Sequence, residues 1–403
     1  MVTRRQAQLR LAGAFWLADP DLQALMAVLD GQGRRTRAVG GVVRDTLLAI
    51  ERGPTDLDLA TELVPAEVVQ RAEKAGFAAY PTGIEHGTVT IKAGRLLAEV
   101  TTLREDIRTD GRHAVVRFGT DWHRDASRRD FTLNALYAEL DGQIFDPLSG
   151  LSDCLAGRVR FIGDPDQRIA EDRLRVFRFF RFCASHGGQH FDPAGLAACT
   201  RAAGTLSLLS AERVGGEMLR MLALPQVAAT LAKMHDAGIL MLRADMLPAL
   251  ARYEHLAAVP RVEARLALLT FDEETEAVQA RWRLSNALVR SMGEIQQAAR
   301  LCLEQRFKEA AFHFGGSLPD GLAVAGAMAD WPKVLLKERL AGIRPVPPFP
   351  LRGADLISHG SRPGPSLGAE FRRLQQLWIE SNFTLSAEQL IEETRSRLGE
   401  DSA

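Results

Sequence analysis

Apolar residues recur at helical spacing from Leu9 to Leu29, which predicts one or two surface helices. Thr36 to Val39 then reads as a strand running into the Gly40-Gly41 turn, and a short apolar, helical run follows. Around Asp56 the pattern changes to a polar-apolar alternation, Asp56-Leu57-Asp58-Leu59, the mark of a strand with two faces. Val64 to Gly76 predicts a helix, with Pro65 near its start and Gly76 past its end. Phe77–Ile84, Gly87–Ile91 and Leu96–Leu103 read as strands. This alternation of helix and strand makes the first part an α/β or α+β domain. Arg104 to Phe118 is highly charged, contains Gly111 and has few apolar residues before Val115, so a mobile loop is expected there. Ser127 to Leu140 is a basic pair followed by an apolar run. An Asp141-Gly142 turn and Ile144-Phe145 then lead to Asp146-Pro147, which marks a domain edge.

From about Leu151 the strand signals fade, and leucine, alanine and arginine at helical spacing dominate. The remainder is predicted to be almost entirely helical. Pro345 to Pro350 reads as a linker or stiff bend before a last helical module, in which Ser386 and Gln389 have capping-box spacing.

Composition adds bounds rather than a function. With 403 residues the chain should hold at least two domains, and 46% hydrophobic with 25% charged residues is ordinary for a globular protein. A net charge of -1 announces no nucleic-acid partner, so any basic surface must be local. Cys154, Cys183, Cys199 and Cys302 form no C-x-x-C pair, which reads as reduced thiols in a cytoplasmic protein rather than a zinc site or disulfide framework. His86 reads as a turn histidine and His235-Asp236 as a helix end before Gly238. Arg10, Asp19 and Asp21 interrupt any signal-peptide core, and no apolar run is long enough to cross a membrane.

Two stretches carry candidate chemistry. In the first, Gly40 to Thr61, a Gly-Gly turn lets the backbone approach an anion, and Arg44 adds charge to that cradle. Asp56 and Asp58 point to one face of their strand, opposite Leu57 and Leu59, and suit a hard divalent cation such as magnesium. A surface turn with a solvated strand edge would explain the two aspartates alone. Together with the upstream glycines and Arg44 they suit metal-assisted nucleotidyl transfer. In the second stretch, Glu171 to Phe182, helical winding puts Glu171, Arg175 and Arg178 on one face, with Asp172 and Arg181 flanking it. Ile169, Val176, Phe180 and Cys183 gather on the opposite, core-facing side. An amphipathic helix with local salt bridges would account for this pattern. The sharper reading is an acceptor, Asp172, beside a forked donor, Arg175. Such a pair complements the amino group and ring nitrogen of cytosine or adenine, and opposes guanine and uracil.

The ordered set GGVVRD at 40–45, DLDLAT at 56–61, PTGIEHGTV at 81–89, EVTTLR at 99–104, RRDFTLNA at 128–135, DP at 146–147, EDRLRVFRFFRF at 171–182 and SAERVGGEML at 210–219 resembles the class II tRNA nucleotidyltransferases, the CCA-adding enzymes, and the related bacterial poly(A) polymerases. The resemblance covers roughly the first 220 residues, with looser matches at LPAL and PGPSLG beyond. It implies an α+β fold: a polymerase-β-like head (1–150), then a helical neck reading the base (151–222), a helical body (223–344) and a tRNA-binding tail (345–403). It implies magnesium at Asp56 and Asp58, with Glu99 as a third active-site carboxylate. Gly40, Gly41, Arg44 and Arg129 are placed at the nucleotide, Asp172 and Arg175 at its base, and Arg178 and Arg181 as further nucleotide contacts. The implied partners are tRNA, CTP and ATP, with no membrane and no signal for an oligomeric state. The Arg104–Arg117 region corresponds to one that moves between C and A addition, although Asp106 stands four residues before Asp110-Gly111, an altered spacing. Poly(A) synthesis, CC-only or A-only addition, and a non-catalytic tRNA-binding protein are the alternatives. Intact carboxylates and arginines argue against the last.

Overall fold

The computed structural model describes residues 3–50, 57–109, 114–342 and 345–400. The chain divides into two compact units, Met1–Met241 and Leu242–Ala403. The predicted N-terminal helical run is a pair of helices, α1 (Arg4–Ala12) and α2 (Pro20–Val28), each started by a side-chain cap, Thr3 and Asp19. A seven-stranded sheet follows. Its strands are β1 (Thr36–Val39), β2 (Leu57–Thr61), β3 (Ala78–Gly83), β4 (Thr88–Ala93), β5 (Leu96–Thr102), β8 (Tyr137–Ala138) and β9 (Ile144–Phe145), in spatial order β3-β4-β5-β2-β1-β8-β9. Helix α3 (Gly41–Leu48) links β1 to β2, and α4 (Pro65–Lys74) lies between β2 and β3. β2 and β5 are parallel, with Asp58 opposite Glu99, whereas every other pairing in the sheet is antiparallel.

One expectation is corrected here. Arg104–Phe118 is a hairpin, β6 (Arg104–Thr109) with β7 (Ala114–Phe118), and its connecting residues 110–113 lie outside the described residues. Sequence composition suggested a loop, but β-branched residues on both arms favour extended backbone, and ladder hydrogen bonds make up for the shortage of apolar anchors. Glu105 pairs with Arg117 and, at 2.7 Å, with Arg124 of α5 (Trp122–Ser127), which ties the hairpin to the head.

Beyond the sheet the unit is helical: α6 (Leu151–Leu155), α7 (Pro165–Glu171), α8 (Leu174–His186), α9 (Pro193–Ala202), α10 (Ala211–Leu222) and α11 (Ala228–Asp236). Aromatic rings join these helices to the sheet. Phe131 packs on Phe161, Phe179 and Phe182 at centroid distances of 4.9, 6.2 and 5.4 Å, and Phe161 stacks on Phe179. Burying such rings removes large apolar areas from water, so α8 is held firmly against the segment that carries Arg128 to Asn134.

The second unit is all helix, from α12 (Met246–Leu256), α13 (Val262–Leu269), α14 (Thr275–Trp282), α15 (Asn286–Leu303), α16 (Phe307–Phe314), α17 (Leu318–Met328) and α18 (Lys333–Gly342) to α19 (Gly353–Ser358), α20 (Pro365–Glu380) and α21 (Ala387–Glu400). Arg265 is fully buried there, and Glu254 neutralises it at 2.7 Å. The proline-rich stretch 345–350 has neither helix nor strand. Its Val346 and Phe349 pack on the Leu351, Leu356, Leu374, Trp378 and Leu390 cluster, so it is a packed bend rather than a free linker. The predicted capping box starts the last helix, with Ser386 and Gln389 exchanging backbone-to-side-chain bonds at 2.8 and 3.3 Å.

Candidate active site

An open cleft of about 440 Å³ lies in the first unit. Its walls come from the start of α3, β2, the Arg128–Asn134 segment and α7–α8. Gly40 makes the turn with φ +75° and ψ −127°, a conformation open to glycine alone, and a Cβ there would meet Asp58 Oδ2 at 3.7 Å and Arg129 Nη1 at 3.9 Å. The first turn of α3, whose N–H groups have no acceptor within the helix, borders the cleft through Gly41 and Arg44. Arg44 is buried. It donates to Asp45 at 2.8 Å and to Asn134 Oδ1 at 2.6 Å.

Asp58 reaches the cleft from β2, where Leu57 and Leu59 are buried on the other face as the alternation predicts. Glu99 stands beside it across the parallel register and is exposed, but it does not line the cleft. Asp56 lies outside the described residues.

Arg128 and Arg129 are oriented from behind by Asp125, which is 1% exposed and bonds Arg128 at 2.8 Å, Arg129 at 3.4 Å and the Tyr137 hydroxyl at 2.9 Å. Burial alone would raise the Asp125 pKa. Arg129 and Arg128 outweigh burial and hold the carboxyl below its ordinary value, so it is a fixed anion. Burial likewise opposes the charge on Arg129, yet Tyr137 and Asp125 leave its pKa raised. The Nε of Arg129 is buried without a hydrogen-bond partner.

The opposite wall differs from the single helix that the sequence predicts. Helix α7 ends at Glu171, and Asp172 is extended (φ −151°, ψ 105°) before α8 begins at Leu174. The Asp172 carboxylate accepts the Leu174 N–H at 3.1 Å, a local bond that competes with continuous helix. Its other oxygen takes Arg213 of α10 at 2.7 Å. Arg175 bonds Glu171 at 2.6 Å and the Arg168 and Arg128 carbonyls at 2.8 and 3.1 Å. Asp172 and Arg175 therefore both line the cleft, each with its own brace. Arg178 pairs with buried Asp130 at 2.5 Å, and Arg181 with Glu217 at 2.6 Å. Three guanidiniums, of Arg44, Arg178 and Arg181, sit over the Phe182 ring at 5.1, 5.4 and 4.4 Å. Its π face makes this crowding of like charges less costly.

The cleft thus collects Gly40, Gly41, Arg44, Asp58, Arg129, Asp172, Arg175, Arg178 and Arg181, which the sequence singled out. Arg128, Asp130, Asn134, Phe182 and Arg213 were not given a role. Asp130 and Asn134 stand four residues apart in the RRDFTLNA stretch, and Arg213 and Glu217 four apart in SAERVGGEML; that spacing was the available signal. Chemically the cleft is an anion site with one carboxylate edge, and its arginines are fixed before any ligand arrives.

The chain is similar to proteins of known name and structure. Residues 36–160 match the family model described as the Poly A polymerase head domain. Residues 189–251 match the one described as the probable RNA and SrmB-binding site of polymerase A. The mouse (Mus musculus) mitochondrial CCA tRNA nucleotidyltransferase 1 is 31% identical over 92% of this chain and 88% of its own. A CCA-adding enzyme of Limosilactobacillus fermentum is 29% identical over 88% of this chain and 91% of its own. Among solved structures, the Bacillus stearothermophilus CCA-adding enzyme in complex with CTP superposes with a TM-score of 0.76 at 27% identity, covering 95% of this chain and 100% of that one.

Proposed function

Taking as premise that the chain belongs to the CCA tRNA nucleotidyltransferase family, we propose that it adds C, C and A to the 3′ end of tRNA from CTP and ATP, releasing pyrophosphate. The observation that carries this reading is the single cleft in which the Gly40–Gly41 turn, the Asp58 carboxylate and the Asp172–Arg175 wall all meet. The turn, the N-terminus of α3, Arg44 and Arg129 hold the triphosphate. They orient its α-phosphorus for in-line attack by the tRNA 3′-hydroxyl, which is the largest contribution a protein makes to such a transfer. Asp172 accepts a hydrogen bond from the amino group of cytosine or adenine, and Arg175 donates to the adjacent ring nitrogen. Guanine and uracil would set acceptor against acceptor and donor against donor.

Asp58, with Glu99 beside it and Asp56 two residues earlier, offers only carboxylate oxygens, a donor set that fits a hard divalent cation, which we take to be magnesium. When bound there, the ion lowers the pKa of the attacking hydroxyl and offsets phosphate charge.

We divide the labour along the chain into a catalytic head (1–150), a base-reading neck (151–222), a helical body (223–344) and a tRNA-gripping tail (345–403). The grip is through phosphates, without reading sequence. The four cysteines are free and buried, which suits a reducing compartment such as the cytoplasm. Among the described residues no helix is long and apolar enough to cross a membrane.

A second reading, poly(A) addition, is favoured by the description of the head-domain model alone. Incubation with tRNA lacking its 3′ end and with labelled CTP, ATP or both separates the two. The expected products are CC with CTP alone and CCA with both, whereas long A tails from ATP alone would replace the reading with poly(A) synthesis.

A further inference from the structure

Helix α8 reaches Arg44 by two routes, and together they close into a ring of hydrogen bonds. Arg178, on its cleft face, bonds Asp130 Oδ2. Asp130 Oδ1 accepts from Asn134 Nδ2 at 3.0 Å, and Asn134 Oδ1 accepts from Arg44 Nη1 at 2.6 Å. Arg44 Nε donates to Asp45 Oδ1 at 2.8 Å. The ring returns to α8 at its last residue, His186, whose Nε2 lies 3.0 Å from that same Asp45 oxygen. Its imidazole side chain is 2% exposed. Its Nδ1 lies 2.6 Å from the Ser185 hydroxyl, and its ring packs on Phe182 at 5.5 Å. A carboxylate only accepts, so Nε2 carries a proton and donates it to Asp45.

We infer that His186 is a positioning residue for Arg44: through Asp45 it fixes the angle at which that guanidinium meets a triphosphate, and through α8 it couples this angle to Arg178. The inference rests on the reading of the cleft as a nucleoside triphosphate site. The argument is one of orientation. Arg44 has donors engaged by Asn134 and Asp45, and a second donor on Asp45 Oδ1 from outside α3 restricts the rotation of that carboxylate. His186 is that donor, it comes from a different element, and it is buried where water cannot take its place. A network satisfied in this way is pre-organised for its ligand, whereas a partly satisfied one must be ordered by the ligand at the cost of affinity. The base-reading pair, Asp172 and Arg175, lies outside the ring, so base choice should not depend on it.

The test uses the full chain as His186→Leu and His186→Gln, the second retaining an N–H donor. The dissociation constants for CTP and ATP are measured without tRNA, alongside kcat on tRNA lacking its 3′ end, the ratio of CTP to UTP incorporation, and the melting temperature. The Leu variant should bind CTP and ATP about tenfold more weakly, the scale of losing a hydrogen bond to a charged group. Its kcat should change less and its base ratio should stay as in wild type. The Gln variant should recover affinity to within about threefold of wild type, a margin well under the tenfold effect. Wild-type affinity in the Leu variant, or equal weakening in both variants, would overturn the assignment and leave His186 a packing residue. If the Leu variant does not fold, ¹⁵N-histidine spectra of the wild type decide: the His186 Nε2 resonance must move on CTP saturation, and a fixed resonance overturns the proposal. A wild type that binds no CTP would instead bring down the reading of the cleft itself, together with this inference.

Discussion

Helices α8 and α20 are both amphipathic, and both present arginines close together in sequence, but they hold charge in different ways. On α20 the guanidinium of Arg373 bonds Glu370, three residues back on the same helix, while Arg372 is exposed. On α8, Arg178 reaches Asp130 and Arg181 reaches Glu217, buried carboxylates supplied by distant parts of the chain. A local, partly exposed pair is worth little because it forms in any isolated helix and water competes for it. A buried pair from two elements exists only when the fold is complete, and it leaves a stranded charge if one member is lost. Arginine spacing alone therefore does not tell a solvated face from a binding wall; the carboxylates behind the arginines do.

The comparison can be broken most severely at the carboxylate edge of the cleft. Asp58→Ala should lower single-turnover transfer by at least ~100-fold while tRNA affinity and stability hold, because Asp58 is exposed on its strand. Turnover within about tenfold of wild type, some 1.4 kcal/mol, would sink its role.

Next comes Asp130→Ala, which should cost about 1–3 kcal/mol in denaturant unfolding, because Arg178 loses its nearer partner and keeps Glu217 at 3.8 Å. The same site has a pH signature. Burial pushes the Asp130 carboxyl up, but Arg178, Asn134 and the Phe131 N–H together hold it below its ordinary value of 3.8. A depressed folded pKa means that this stabilisation is complete above about 3.8 and is lost as the pH falls through the lower, folded value. Acid unfolding should therefore lose this step in Asp130→Asn; an unchanged acid limb would mean the pair contributes nothing.

A smaller effect is expected at the template. Asp172→Ala should raise UTP and GTP incorporation relative to CTP by about tenfold or more, since one correct pair discriminates by about 1–3 kcal/mol. Unchanged discrimination would place base choice elsewhere. The smallest effect belongs to α20: Arg372→Ala should leave melting unaltered and reduce the salt slope of tRNA binding by about one contact. An identical salt slope would take this helix out of the tRNA path.

What the sequence revealed follows the same division. The Gly40-Gly41 turn, the strand of Asp58 and the helix after Val64 rest on local rules, and the structure has them where the pattern puts them. The hairpin at Arg104–Phe118 was hidden because pairing across a turn rewards backbone more than side-chain pattern. The break at Asp172 was hidden because the Leu174 N–H and Arg213 decide it, and Arg213 is remote in sequence. The place of Arg44 beside the glycine turn was readable, whereas its brace through Asn134 and His186 required the fold.

The one parallel pairing in the sheet bears on how the molecule comes together. Strands β3, β4 and β5 form a meander of short connections, so they can assemble from neighbouring residues. β2 must instead wait for that meander and α4 to double back before residues 57–61 can lie along 98–102. Closing such a crossover costs chain entropy ahead of any return in contacts, which makes it a late event. Asp58 and Glu99 face each other only across this seam. During refolding, helical signal and tryptophan burial can return early, but nucleotide transfer returns only when the seam has closed.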